Sequence, residues 1–124
     1  MEITECKTAE IVTLSLAGKL DTTSAKAFEE KILNLIESGD RRFVIDLAQL
    51  EYIGSAGLRV FVLAAKRLAS GNGKLVLCGF AKTIPYHTLN RPRDPVREVF
   101  DVSGFSSMFS TYGSQDAAIQ SFRA

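Results

Sequence analysis

Phe43-Val44-Ile45-Asp46-Leu47, followed after a short gap by Tyr52-Ile53-Gly54-Ser55-Ala56-Gly57-Leu58, is the stretch that decides the fold. The first run is brief, apolar and rich in β-branched residues, and a polar break follows it. It therefore reads as a parallel strand covered on both faces. From Leu58 the apolar residues recur at three-and-four spacing. Leu58, Phe61, Val62, Ala65, Leu68 and Ala69 share one helix face, and Arg59, Lys66 and Arg67 point away from it. Ser55 stands where the strand segment gives way to the helix. Backbone N–H groups there lack intrahelical partners, and the helix dipole is positive.

Outward from this centre, Ser70-Gly71-Asn72-Gly73 closes the helix and Lys74-Leu75-Val76-Leu77-Cys78 supplies the next strand. A strand–helix–strand crossover of this length gives a right-handed parallel pair. Toward the N-terminus, Ile3 to Lys7 and Ile11 to Leu16 are two strands that Thr8-Ala9-Glu10 joins as a hairpin. Gly18 to Ser24 breaks the pattern. Asp21, Thr22, Thr23 and Ser24 offer side chains that cap a helix whose apolar stripe is Ala25, Phe28, Ile32, Leu35 and Ile36. Ser38-Gly39-Asp40 ends that helix, with glycine suited to a left-handed terminal residue.

Beyond Phe80 the pattern is weaker. Pro85 to Pro95 holds all three prolines of the chain and reads as a loop. Val96 to Val102 reads as a short helix ending near Gly104, Met108 to Tyr112 as a short edge strand, and Ser114 to Phe122 as a last helix with an acid, Asp116, near its start. The expected fold is a single α/β domain over residues 1–124. It has a mixed sheet of four to five strands with parallel central strands, an N-terminal hairpin and about four helices.

A chain of 124 residues with 46% hydrophobic content builds a core without disulfide staples. Its net charge of +1 is spread along the sequence, which excludes the strong basic field of a nucleic-acid binder. Neither a charged-then-apolar leader nor a membrane-length apolar run is present, so a cytoplasmic protein without a membrane partner is expected. Cys6 and Cys78 lie in strand-like segments without C-x-x-C spacing and are expected to be buried. His87 is the only histidine and sits in the proline-containing loop, so no metal site or cofactor is expected. No base stands beside a nucleophile, and Gly71-Asn72-Gly73 lacks the lysine of a phosphate loop. These absences argue against an enzyme.

Ser55 differs from these residues because its chemistry can be done to it by another protein. Its plain structural job is that of a helix N-cap. A phosphoserine there would bring about −1.5 to −2 charges to the positive end of a helix, which tolerates an anion. The fold should survive, and a partner surface laid over Ser55 should not. On the helical wheel Leu63 falls among Arg59, Lys66 and Arg67, with Val60 beside it, and this apolar residue in a basic ridge points to a contact face.

Val44 to Leu47, Tyr52 to Leu58 and Gly73 to Leu77 together resemble the signature of the STAS domain, specifically that of bacterial anti-sigma factor antagonists. Gly18-Lys19-Leu20-Asp21, Ser103-Gly104-Phe105 and Phe109 resemble that family as well. The resemblance implies a domain whose serine at the helix start is phosphorylated by an anti-sigma factor serine kinase. It implies that the unphosphorylated form binds this kinase and that a PP2C-type phosphatase reverses the modification. Ser55 falls on the phosphorylated position, and Asp21 on an acidic position bordering it. Thr22, Gly54, Ala56, Gly57, Arg59, Val60 and Leu63 complete the expected partner surface.

Two departures stand out. Family members commonly carry an acid before the serine and often a second serine after it, where this chain has Gly54 and Ala56. The Pro85 to Pro95 loop, with His87, Arg91 and Arg93, is longer than is usual there. The alternative that Gly54 keeps open is a STAS module that is never phosphorylated and serves as a scaffold or as a lipid-transport accessory.

Overall fold

Strict alternation of side chains along three neighbouring strands divides the core into two layers. The computed structural model describes residues 1–79, 96, 99, 100, 104 and 109–123. Its strands are β1 (Glu2–Thr8), β2 (Ile11–Leu20), β3 (Arg42–Ile53), β4 (Lys74–Cys78) and β5 (Thr111–Tyr112). They form one sheet in the order β1-β2-β3-β4-β5, in which β1 and β2 are antiparallel and the other pairs are parallel. Three helices are α1 (Thr22–Glu37), α2 (Ser55–Ser70) and α3 (Gln115–Ser121). Val96, Val99 and Phe100, from the expected helix after the loop, are helical too. This is the expected α/β fold with its N-terminal hairpin.

Val12, Leu14 and Leu16 of β2, Phe43, Ile45 and Leu47 of β3, and Leu75 and Leu77 of β4 share one core with α1 and α2. The intervening Ile11, Val44, Val76 and Cys78 belong to a second cluster closed by Ala118 of α3, with Tyr112, Ile119 and Phe122 packed against it. A period of two sends alternate residues to opposite faces, so β3 is buried on both, as its apolar run required. Within the larger core, Phe61 of α2 meets Phe28 of α1 at 5.2 Å and Phe100 and Phe109 at 5.4 and 6.3 Å between ring centroids. Such tilted and edge-to-face pairs add about 0.5 to 1.5 kcal/mol each beyond their area. Phe61 thereby ties the C-terminal part of the chain to α2.

Asp46 of β3 faces the smaller cluster, where a carboxylate needs partners. Its Oδ1 accepts from the Ala48 N–H at 2.9 Å, and its Oδ2 accepts from Gln115 Nε2 at 2.6 Å. Gln115 Nε2 also lies 3.3 Å from Ser15 Oγ. The first residue of α3 is thus fastened to two central strands.

Four sequence expectations are corrected. Cys78 is buried but Cys6 is exposed, because it lies on edge strand β1, where Ile3 alone is not exposed. The strand expected over Phe43 to Leu47 runs on to Ile53. The buried face of α2 consists of Gly57, Leu58, Val60, Phe61, Ala64 and Leu68, leaving Ala69 exposed and Val62 and Ala65 only partly buried. The helix is turned toward α1 relative to the expected stripe. The expected strand from Met108 is realised only at Thr111–Tyr112, and Met108 itself lies outside the described residues. So do the Pro85 to Pro95 segment, Ser103 and Phe105.

Burial pushes the Cys78 thiol up to about 12, and the neighbouring Asp46 carboxylate adds to the effect. A buried thiol with so little thiolate does not react. One equivalent of a thiol reagent should therefore label the folded protein rapidly, at Cys6, with the second consumed only after denaturation. Peptide mapping checks the assignment.

Candidate functional site

The ends of β2 and β3 lie side by side, with Leu20 paired to Ile53. The next residue on each strand, Asp21 and Gly54, is the N-cap of the following helix. The Gly54 N–H donates to the Leu20 carbonyl at 2.9 Å and fastens one helix start to the other. Two helix N-termini thus open at the carboxyl end of a parallel strand pair, the place where open α/β sheets commonly put their binding sites.

The two starts are finished differently. Asp21 Oδ1 accepts from the N–H groups of Thr23 and Ser24, each at 3.1 Å, and Ser24 Oγ accepts from the Asp21 N–H at 2.9 Å. This reciprocal box satisfies the first turn of α1. Hydrogen bonds from the Ser24 backbone and hydroxyl, and then from Thr23, hold the Asp21 carboxyl below its usual range. At α2, by contrast, Gly54 brings no side-chain cap, and the first turn contains no acidic residue. The first i→i−4 bond is Leu58 N–H to Gly54 carbonyl at 3.1 Å.

Ser55 is therefore not the N-cap that its position suggested. Gly54 keeps extended backbone (φ −100°, ψ 178°) because β3 reaches Ile53, which makes Ser55 the first helical residue. Its side chain is exposed. An exposed hydroxyl thus stands at the positive end of a 16-residue helix that has no side-chain cap and no acid in its first turn.

The other expected site residues divide into two groups. Thr22, Ala56 and Arg59 meet in an open groove of about 440 Å³ between the starts of α1 and α2, lined also by Ala25, Lys26 and Glu29. Arg59, one turn below Ser55, reaches Glu29 at 3.6 Å, but its side chain is 73% exposed, so the pair contributes little to stability. Leu63, one turn further, is half-buried, with Lys66 and Arg67 exposed nearby. Gly57 and Val60 instead face inward. Val60 is 1% exposed and cannot belong to the ridge, because it lies in the larger core. A Cβ on Gly57 would come within 2.7 Å of Leu20 Cγ and Cδ2 and 3.1 Å of Ile53 Cγ1, so only glycine lets the first turn of α2 settle onto the strand ends.

Sequence reasoning missed Tyr52. It is 48% exposed, and its ring lies over Gly54, with the hydroxyl 3.2 Å from where a Cβ on that glycine would stand. Alternation supplied the signal, since Ile53 faces the core and its neighbour must face away. No helix among the described residues is long and apolar enough to cross a membrane. No cluster of metal-ligating side chains occurs among them.

Comparison with known proteins agrees with this architecture. The STAS domain family model matches residues 3–118, and the chain belongs to that family. BtrV of Bordetella bronchiseptica, assigned as an anti-sigma factor antagonist, is 37% identical over 123 residues, which span 99% of this chain and 96% of BtrV. A Thermotoga maritima protein assigned likewise superposes with a TM-score of 0.83 at 19% identity, over 98% of this chain and 95% of its own. Phosphorylated SpoIIAA of Bacillus gives 0.70 at 20% identity, over 98% and 99%. At such identities the structural likeness is one of fold.

Two predictions arise from the paired helix starts. Gly57→Ala should destabilise the domain by about 1 to 2 kcal/mol in urea denaturation, since overpacking costs about 1 to 3 and helix propensity returns at most about 1. The depressed Asp21 carboxyl sets a pH dependence. Its stabilisation is complete above the unfolded value of 3.8 and is lost as pH falls through the lower folded value. Asp21→Asn retains a capping oxygen without the charge, so its stability deficit should hold steady at neutral pH and shrink in acid below 3.8.

Proposed function

From its membership of the STAS domain family and its exposed serine at a bare helix start, we propose that this chain is an anti-sigma factor antagonist switched by phosphorylation of Ser55. The unphosphorylated form binds an anti-sigma factor serine kinase over the starts of α1 and α2. Phosphorylation there breaks the complex, and a PP2C-type phosphatase restores it. The single domain works as a cytoplasmic binding module, without catalysis, cofactor or metal of its own.

The observation that carries this reading is the combination at Ser55 of exposure, the first helical position and an unneutralised first turn. A helix N-terminus accommodates an anion by about 0.3 to 1 kcal/mol, so a phosphate is tolerated by the fold. Ala56 leaves Ser55 as the sole hydroxyl of the Gly54 to Leu58 motif. Arg59 at i+4 lies on the same helix face and forms an exposed pair with Glu29. The partner carries the cost of the modification. A surface that covered a neutral hydroxyl would meet about −1.5 to −2 charges without a counter-charge. SpoIIAA, whose fold the chain shares, is known in unphosphorylated and phosphorylated forms.

Incubation with ATP and the serine-kinase-like ATPase encoded nearest to its gene should add one phosphate to the intact mass, and Ser55→Ala should abolish the gain. Ser55→Asp should keep its melting temperature while binding that ATPase at least about tenfold less tightly, because unpaired charge at an interface is strongly disfavoured. A gain that persists in Ser55→Ala would remove Ser55 from the role. No gain at all would favour the unphosphorylated STAS scaffold, which Gly54 in place of an acid permits.

A further inference from the structure

We propose that Tyr52 is the specificity-determining residue of the Ser55 surface, the aromatic anchor by which the partner grips this end of the domain. The inference rests on the reading that a partner docks over Ser55. Its substance comes from the geometry of residues 52 to 54.

Among the described residues the exposed large hydrophobics are Met1 and Tyr52, and only Tyr52 adjoins the helix starts. Its position is fixed from both sides in the chain. Ile53 is 2% exposed and paired with Leu20, which anchors the strand end and turns Tyr52 to the opposite side. The following residue has no side chain, and the Tyr52 ring occupies that space. Cε2 and Cζ lie 3.5 and 3.7 Å from an ideal Gly54 Cβ, and the hydroxyl oxygen lies 3.2 Å from it.

The first two distances are ordinary van der Waals contacts, whereas 3.2 Å is too close for comfort between a methyl carbon and a phenol oxygen. A Cβ at position 54 would therefore ask the exposed tip of the Tyr52 side chain to give by a few tenths of an ångström. The backbone conformation itself does not require glycine, since φ −100° and ψ 178° suit any residue.

A ring placed there lies beside Gly54, the residue before Ser55. A partner that covers the Ser55 hydroxyl also covers Tyr52 and removes a half-exposed aromatic surface from water. Buried tyrosines are enriched among the few residues that dominate binding, because a large rigid ring orders at small entropic cost. The partner that fits presents an apolar notch beside the surface that receives the serine. The same proximity makes the anchor sensitive to the switch, because a phosphate on residue 55 keeps the notch from closing over residue 52.

The test measures affinity for the serine-kinase-like ATPase encoded nearest to the gene, together with Ser55 phosphorylation read by intact mass. Tyr52→Ala should bind at least about tenfold more weakly with an unchanged melting temperature. Tyr52→Phe, which keeps the ring, should stay within about threefold of the unaltered protein. Should Tyr52→Ala misfold, Tyr52→Gln, which also removes the ring, takes its place with the same expected loss. Equal affinity of the unaltered protein and of the folded variant that lacks the ring overturns the anchor while leaving the Ser55 switch intact. Failure of the unaltered protein to bind or accept phosphate overturns both.

Discussion

The parallel pairing of β2 with β3, carried to its last residues Leu20 and Ile53, is the constraint on which the rest of the molecule depends. Had the register slipped by one residue, every side chain of β3 would change face, and Phe43, Ile45 and Leu47 would leave the core they share with α1 and α2. The two-sided burial of β3 makes such a slip prohibitive. Because the register is fixed, the two following helices must begin side by side. The hydrogen bond from Gly54 to the Leu20 carbonyl and the close seating of Gly57 on both strand ends then follow. A surface site built this way inherits its precision from the core.

That inheritance explains how a modification at this end could change recognition without changing the fold. Ser55 lies at the rim, while Gly57 and Leu58, two and three residues on, are already buried. Charge added at residue 55 stays in water at a favourable helix pole, and the layer beneath is packed against Leu20 and Ile53. On the opposite face, α3 is held by Asp46 and Gln115, and its docking shares no residue with the helix starts.

Much of this was legible in the sequence because local signals and burial agreed. The apolar run of β3, the stripe of α1, the capping residues from Asp21 to Ser24 and the terminal glycine, Gly39 at φ +112°, each stated the same element in two ways. The orientation of α2 was not legible. Val60, Val62, Leu63, Ala64, Ala65 and Ala69 make the helix apolar over most of its circumference, so its period could not choose between two faces. Tertiary packing made the choice, in favour of Val60 and Ala64. Ser55 as a cap failed for a related reason, since the cap is set by where β3 stops, and the strand outlasts its apolar run by six residues, from Leu47 to Ile53. Tyr52 was quoted in the motif but not read, because an exposed aromatic acquires meaning only once the neighbouring glycine is known to lie beneath it.

The contrast between the two helix starts also has a dynamic side. In α1 the amides of Thr23 and Ser24 are bonded to Asp21, whereas the first turn of α2 has no side chain to close it. Local opening should therefore be easier at residues 55 to 57 than at residues 22 to 24, on timescales much shorter than that of global unfolding. The wedge of Gly57 between Leu20 and Ile53 stops such fraying from running further along the helix. A modifying enzyme that needs its target hydroxyl drawn away from the helix axis would find one turn able to yield, on a domain that otherwise stays closed.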